Sequence, residues 1–264
     1  MRIEGFDIDI LVQGFPGKTV CHGGLGWSTV VLLRGQGRVV LVDTGSFNMR
    51  RLILDQLARR ELVPTDVTDV LLTHAHYDHS INWIMFPNAS VVIGADELDW
   101  AAAQPIGHSL VPELYIRDLA LSPKLRVVGN GEEVFPGMTA YTAPGHTPGH
   151  LIFFLSAPDR DVIFTGDAAK NRAELISGTA DMSMDESASV RSIARIFELW
   201  RKRADTILVP GHDITMVLGD GRPIYIEARR AGITAWFDDH LEQTTLFELK
   251  AAEPSVARRA ASQR

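Results

Sequence analysis

Apolar and polar positions along the chain form short runs that predict a mixed α/β protein. Runs of apolar, often β-branched residues bounded by Gly, Pro or Asp are typical of strands. We predict strands at residues 6–12, 27–34, 38–43, 89–93, 126–128, 138–143 and 150–155, with others directly before His74, Asp167 and His212. Gly35-Gln36-Gly37 joins two of these strands and predicts a hairpin.

Apolar residues three or four positions apart predict the helices. Leu52, Ile53 and Leu57 share one face of a helix from about Asn48 to Arg60. Shorter helices are expected after the strand before His74 and after residue 93, and a long one follows Asp167. Their predicted ranges are 82–86, 96–103 and 185–202.

The last fifth of the chain carries weaker signals. Gly219–Pro223 is a polar turn, and the stretch from Tyr225 onward, with Trp236 and Phe237, predicts a terminal helix. Residues 251–264 are rich in Ala, Arg and Ser and have little to bury, so we expect this tail to fray. The prediction is one domain over residues 1–250 and a frayed tail over 251–264.

Composition narrows the function classes. The chain has 264 residues, of which 45% are hydrophobic, and this fits one large α/β domain. Its net charge of −7 repels a polyanion, which argues against nucleic acid as a partner. The basic run Arg201-Lys202-Arg203, with Arg191 and Arg195 before it, could form a phosphate-binding stripe. Apolar residues at helical spacing favour a solvated helix face instead.

Targeting signals are absent from the sequence as it stands. Cys21 is the only cysteine, so no internal disulfide can form. The first residues lack the basic stretch and apolar core of a signal peptide, and no apolar run reaches the ~18 residues that span a bilayer. We therefore expect a cytoplasmic protein with a small-molecule substrate and no membrane partner.

Four potential metal ligands lie within six residues of one another. His74, His76, Asp78 and His79 directly follow the apolar run Val70–Leu72. A buried strand that delivers such a cluster to its end builds a metal site on a rigid scaffold. The alternative, a few solvated histidines on a loop, would rarely give this spacing.

Three further segments end in residues that can bind a metal. The Pro- and Gly-rich run Ala143–His150 presents His146 from a tight turn. Asp167 follows an apolar strand and could bridge two cations through its two carboxylate oxygens. His212 follows another strand and a Pro-Gly break. Together with the cluster, these residues predict a metal site.

The order HxHxDH, then GH, GD and GH, over roughly residues 5 to 215, resembles the metallo-β-lactamase-fold hydrolase superfamily. The resemblance implies a four-layer αββα sandwich with two metals at one edge of its sheets. It assigns one metal to His74, His76 and His146 and the second to Asp78, His79 and His212, with Asp167 bridging. It also implies that Asp43 orients a ligating histidine from behind, although Asp43-Thr44-Gly45 also fits an ordinary turn.

The same resemblance implies a reaction. A hydroxide shared by two divalent cations would attack an ester, lactone, thioester or cyclic amide, with Asp78 as a catalytic ligand. Zinc is the default metal for a nitrogen and oxygen ligand set, which also accepts iron or manganese. The alternatives are a phosphodiesterase or ribonuclease of the same fold and an iron-dependent dioxygenase, which would typically keep fewer acidic ligands.

Two local motifs point to different substrates. Ile81–Ala89 resembles the subgroup that contains metallo-β-lactamase domain-containing protein 1. Many lactonases of the superfamily instead carry Gly-Gly directly after the ligand cluster. The run Thr142–His150 is similar to glyoxalase II-type thioesterases and to lactonases. The missing signal peptide makes β-lactam hydrolysis a weaker candidate. The substrate therefore stays open among small carbonyl compounds.

Irregular segments are expected to determine substrate specificity, because loops shape the space above strand ends. Residues 14–27 could form a flap or merely cover the core, and residues 104–124 could form a lid or a homodimer contact. Residues 171–186, with Met182, are expected near the metals. His150 is expected behind the ligands or in the core, and Tyr77 is expected to turn into the fold.

Overall fold

Two seven-stranded sheets form the centre of the computed structural model, which describes residues 1–20 and 23–250. The strands of the first half are β1 Arg2–Ile3, β2 Phe6–Val12, β3 Lys18–Thr19, β4 Gly23–Gly24, β5 Val30–Gly35, β6 Arg38–Val42, β7 Asp69–Leu71, β8 Ser90–Gly94 and β9 Leu125–Val128. Those of the second half are β10 Glu132–Phe135, β11 Met138–Thr142, β12 Leu151–Ser156, β13 Asp161–Gly166, β14 Ile207–Pro210, β15 Met216–Gly219, β16 Arg222–Tyr225, β17 Gly232–Ala235 and β18 Thr245–Glu248.

Within residues 1–20 and 23–250, six α-helices accompany these strands. They are α1 Arg50–Ala58, α2 Tyr77–Ser80, α3 Ala95–Ala102, α4 Glu113–Ala120, α5 Arg172–Ser177 and α6 Glu186–Trp200. Short 3-10 turns lie at Phe47–Met49, Pro64–Asp66, Ile81–Met85 and Asp167–Ala169. Among the described residues, none of the helices combines the length and apolar character needed to cross a bilayer.

Both sheets mix parallel and antiparallel pairs. The first has the order β1-β2-β5-β6-β7-β8-β9 and is parallel from β6 to β9. The second has the order β10-β11-β12-β13-β14-β15-β16. Among these described strands, β13 and β14 form the one parallel pair. Parallel neighbours bring their carboxyl ends to the same edge of a sheet, so residues that follow β7, β13 and β14 can meet.

Side chains alternate between the two faces of each strand and so build separate layers. Val31 and Leu33 of β5 pack in the core between the sheets, against Phe153 and Phe164 of the second sheet. Leu32, on the opposite face of β5, belongs to the layer covered by α1, α3 and α4. A third cluster joins the outer face of the second sheet to α6. The predicted four-layer αββα sandwich is confirmed.

The predicted elements match the structure best where strands are buried and worst near the chain's end. The predicted terminal helix from Tyr225 onward is wrong, because β16 ends at Tyr225 and β17 and β18 follow as a two-stranded hairpin. Strands β10, β15 and β16 of the second sheet were not predicted, and neither were the two-residue strands β1, β3 and β4. Helices α4 and α5 lie in segments expected to be irregular. The expected frayed tail, 251–264, lies outside the described residues.

Candidate metal centre

Strand ends deliver the predicted ligands to one edge of the sandwich. Asp167 follows β13 and His212 comes two residues after β14, and these two strands pair in parallel through Gly166 and Pro210. A Cβ on Gly211 would lie 2.4 Å from Asp167 Oδ1 and 2.6 Å from the Gly166 carbonyl oxygen. Only glycine fits there, because the two loops touch through their backbones.

All seven predicted ligand residues converge. Potential ligand atoms approach within 4.8 Å in three groups: His74, His76 and His146; His74, His79 and Asp167; Asp78, His79 and His212. We call the first group the three-histidine half and the last group the acidic half. His146 Nε2 lies 3.0 Å from His76 Nδ1, and His79 Nε2 lies 3.3 Å from His212 Nε2.

Asp167 lies between the two halves. Its Oδ2 is 3.3 Å from His146 Nε2, whereas its Oδ1 is 3.2 Å from both His79 Nε2 and His212 Nε2. Each carboxylate oxygen therefore faces one half, as a bridging ligand requires. The ligand roles themselves remain predictions.

The donor set fits divalent cations. In the part of the chain that the structure describes, His74 Nε2 and Asp167 Oδ1 are buried without a hydrogen-bond partner, which is costly for polar atoms unless something else satisfies them. Ligand nitrogens at about 2.0–2.1 Å from a tetrahedral cation lie roughly 3.3 Å apart, close to the spacing found here. Imidazole and carboxylate without thiolate suit zinc and also accept iron or manganese.

Side chains behind the ligands fix their orientation. His79 Nδ1 donates to Asp43 Oδ2 at 2.7 Å, and the Thr73 backbone N–H and hydroxyl also donate to Asp43. His146 Nδ1 donates to the Met182 carbonyl at 3.1 Å. These bonds leave the Nε2 atoms of His79 and His146 directed at the centre. The geometry matches the predicted role of Asp43.

His150 lies behind the centre. Its Nε2 accepts the Asp167 backbone N–H at 3.0 Å, and it belongs to none of the ligand groups among the described residues. This agrees with its expected place behind the ligands. It holds the backbone that carries the bridging carboxylate.

Glu97 is a buried residue that the sequence analysis missed. Its carboxylate accepts the Ala75 N–H at 2.9 Å, the Thr147 hydroxyl at 2.7 Å and the Gly149 N–H at 3.1 Å. It therefore ties the loop of His74 and His76 to the loop of His146. Two of the three donors are backbone groups, so no motif marks this residue beyond its place in the first turn of α3.

Burial and charge divide the imidazoles into two kinds. Burial lowers the pKa of His74 and His146 well below the usual value, lowers that of His76 to about 4 and lowers that of His150 to about 3. Burial acts the same way on His79 and His212, but Asp167 and Asp78 outweigh it and raise the pKa of both.

A cavity of about 450 Å³ opens above the centre. His76, Asp78, Asp167 and His212 line its floor, and its walls include Pro16, Leu110, Lys170 and Met182. Segments 14–27 and 171–186 thus both reach the site, as expected. Cys21 and His22 of the first segment lie outside the described residues.

The expectation for Tyr77 is wrong. The side chain is 43% exposed and lines the cavity mouth instead of turning into the fold. At the start of α2, the Tyr77 backbone N–H donates to the Leu110 carbonyl at 2.9 Å.

Comparisons with known proteins show which proteins this chain is similar to in sequence. An N-acyl homoserine lactonase of Bacillus thuringiensis is 27% identical over 165 residues, which are 61% of this chain and 62% of the lactonase. Metallo-beta-lactamase domain-containing protein 1 of Rattus norvegicus is 29% identical over 220 residues, 80% of this chain and 77% of that protein. The matched part thus spans about three fifths of the lactonase's length.

A solved structure shares the fold. The B. thuringiensis AiiA structure with N-decanoyl-L-homoserine bound at its active site superposes with a TM-score of 0.63 at 20% identity, covering 81% of this chain and 95% of that one. The family model described as "Metallo-beta-lactamase superfamily" matches residues 23–212, well over half of the chain. The chain belongs to the metallo-beta-lactamase superfamily.

Proposed function

We propose that this protein is a dinuclear metal-dependent hydrolase of a small ester, lactone, thioester or cyclic amide. The observation that carries the proposal is the position of Asp167, with one oxygen facing each of two groups of three ligand residues. A structural metal site is normally closed by four protein ligands, whereas this centre borders an open cavity. An open centre of this kind suits catalysis.

The relatives support a carbonyl substrate. The lactonase of B. thuringiensis is named for N-acyl homoserine lactones, and its structure holds N-decanoyl-L-homoserine at the active site. Metallo-beta-lactamase domain-containing protein 1 is a second relative whose name gives no substrate. Lactones and related carbonyl compounds are therefore the first class to test.

The chain's own residues divide the work. When bound, two divalent cations would lower the pKa of a water between them and polarise the scissile carbonyl. His74, His76 and His146 would hold one cation, and Asp78, His79 and His212 the other. Asp78 has 16% of its side chain exposed and borders the cavity, so this ligand lies directly beside the space where a substrate would bind. Pro16, Leu110 and Met182 give the cavity wall apolar surface.

The cavity gives less support to phosphodiester hydrolysis. Its two lysines are already neutralised: Lys170 pairs with Glu174 at 3.0 Å, and Lys18 pairs with Asp181. In the basic run after α6, Arg203 pairs with Asp161 and Asp205. These pairings neutralise both lysines of the cavity and one arginine of the basic run, so these three side chains offer little free positive charge to a phosphate backbone.

The test is metal content by elemental analysis together with turnover of lactone, ester, thioester, β-lactam and bis-nitrophenyl phosphate substrates. We expect about two divalent metals per chain and turnover of carbonyl substrates. Asp78→Ala should lose the second metal and most activity, whereas Asp118→Ala, which removes an exposed carboxylate on α4, should change neither. Full activity in Asp78→Ala, or turnover of the phosphodiester alone, would contradict the proposal.

A further inference from the structure

A second and larger cavity, of about 1030 Å³, runs along one face of α1. Met49, Leu52, Gln56 and Arg59 line it at helical spacing, so the cavity follows the helix over its whole length. From Met49 to Arg59 the helix rises about 15 Å. We call this cavity the α1 groove.

The α1 groove adjoins the cavity above the metal centre. Tyr77, Gly24 and Gly26 line both cavities. The N-terminal end of α1 is also fixed beside the ligands, because Asn82, just after the ligand cluster, donates to the Ser46 carbonyl at 2.8 Å and accepts from Arg50 Nε at 2.7 Å. The groove therefore begins at the metal centre and leads away from it.

The walls of the groove change character along its length. Leu11, Trp27, Met49 and Leu52 give it apolar surface, and Phe47 and Tyr77 also line it. Arg59 and Arg60 lie at the C-terminal end of α1, and Arg230 also lines the groove. An extended apolar chain could lie on this surface and reach the arginines.

Positive charge in the groove is only partly compensated. Arg60 pairs with Asp9 at 3.1 Å. The guanidinium groups of Arg59 and Arg230 have no hydrogen-bond or ion-pair partner in the described part of the chain. The groove's own carboxylate, Glu227, accepts the Thr215 hydroxyl at 2.7 Å. In a chain of net charge −7, two unpaired guanidinium groups in one cavity favour an anionic ligand.

We propose that the α1 groove binds the distal part of the substrate, and that the preferred substrate ends in an anionic group. An apolar segment of about 15 Å or more would separate this carboxylate or phosphate from the scissile carbonyl. The inference rests on the proposed hydrolase function and adds a substrate class to it. Arg59 and Arg230 are its specificity residues.

The first test compares matched substrates. The mono-p-nitrophenyl ester of dodecanedioate ends in a carboxylate, its ω-phospho counterpart ends in a phosphate, and p-nitrophenyl laurate ends in a methyl group. We expect KM for one of the anionic esters to be about tenfold below that for laurate, because a charge-assisted pair is worth about that factor. Arg59→Gln and Arg230→Gln should each reduce this preference. Arg51→Gln, an exposed arginine of α1 outside the groove, should keep it.

A second measurement separates this inference from the hydrolase proposal. Calorimetry compares binding of dodecanedioate with that of laurate, in which one carboxylate is replaced by a methyl group, without any turnover. Tighter binding of dodecanedioate that is lost in Arg59→Gln supports the groove even if no ester is hydrolysed. Equal binding of the two acids together with equal KM for the three esters, or an unchanged preference in both arginine variants, would overturn it.

Discussion

At the scale of single residues, the candidate centre has two halves that differ in their affinity for protons. Burial keeps the three-histidine half deprotonated, with the pKa of His76 lowered to about 4. In the acidic half, Asp167 and Asp78 raise the pKa of His79 and His212. A cation that binds the acidic half must therefore displace protons that are held above pH 6.5. A cation that binds the three-histidine half competes with few protons.

Acidification should consequently remove the two metals one after the other. As the pH falls from above 6.5 toward about 4, protons compete first for His79 and His212, so the acidic half should lose its metal while the three-histidine half keeps its own. Elemental analysis after gel filtration at each pH measures this, and His212→Ala should carry one metal with the higher acid resistance. Simultaneous loss of both metals would be inconsistent with this difference.

Glu97→Gln should weaken the three-histidine half selectively. Burial raises the pKa of the Glu97 carboxyl group to about 7. Above this pH, Glu97 is ionised and accepts hydrogen bonds from three donors on the two ligand loops. An amide nitrogen cannot accept, so at least one buried donor loses its partner, at a cost of about 1–3 kcal/mol. Metal affinity by chelator competition and the absorption spectrum of the cobalt-loaded protein should change for one metal of the two.

Glu113→Gln is the matched control for that variant. Glu113 is also a buried carboxylate in the first turn of a helix, and it accepts the Gly107 N–H at 2.9 Å, but it contacts neither ligand loop. It should lose stability with normal affinity for both metals. If the two variants bound metal equally well, Glu97 would have only a structural role.

These residues also show what the sequence could and could not predict. The seven candidate ligands were found because each follows an apolar strand or lies in a Pro-Gly turn, which is a local pattern. Glu97 was missed because its role depends on backbone N–H groups that only the fold brings to it. Tyr77 was misplaced since a cluster of buried neighbours gives no sign of which way one ring turns.

At the scale of elements, α6 fixes the loop that carries His146. Ser192 donates to the Pro144 carbonyl at 2.7 Å, and the Asp185 N–H donates to the Gly145 carbonyl at 2.9 Å. Gly145 has φ +138°, and a Cβ there would lie 2.4 Å from the Ser189 backbone nitrogen. Helix and loop are thus in backbone contact next to a candidate ligand.

Gly145→Ala should therefore displace His146. The added methyl group meets helix backbone that cannot rotate away, and the positive φ adds strain, so the free energy of unfolding should fall by about 2–6 kcal/mol. The three-histidine half should lose its metal. Gly131→Ala is the control, since Gly131 also has a positive φ but nothing within 4 Å of its Cβ position. Retention of two metals in Gly145→Ala would contradict this role of α6.

Elements were predictable where one period dominated. Strand β12 and helix α6 have uninterrupted apolar patterns and were placed within two residues. The stretch after Tyr225 mixes Gly, Arg and aromatic residues, and pairing between β17 and β18 overrides any local helical preference. Strand β10 was missed because Glu132 and Glu133 make up half of it and leave only a short apolar pattern in the sequence. Its pairing with β11 exists only in the fold.

At the scale of the whole molecule, the two sheets depend on a shared core. Side chains of β5 and β6 from the first sheet and of β12 and β13 from the second belong to one buried cluster. The candidate ligands come from both halves of the chain, with His74 after β7 and His212 after β14. A cation bound to these ligands would thus stabilise the two halves of the chain together. That residues 1–250 are one domain stays a prediction, which unfolding of the whole chain can test.

Removal of metal should lower the melting temperature of the whole protein in one step. A ligand present at a hundred times its Kd stabilises the folded state by about 2.7 kcal/mol, and in a protein of this size each kcal/mol shifts Tm by about 2–4 °C. Calorimetry with and without a chelator should therefore show a single transition that moves down by about 5–10 °C per site. Asp167→Asn, which replaces one of the two carboxylate oxygens by an amide NH2 and removes the negative charge between the halves, should show a smaller chelator effect. Two separate transitions, with only one sensitive to the chelator, would show that the sheets unfold independently and that the one-domain prediction is wrong.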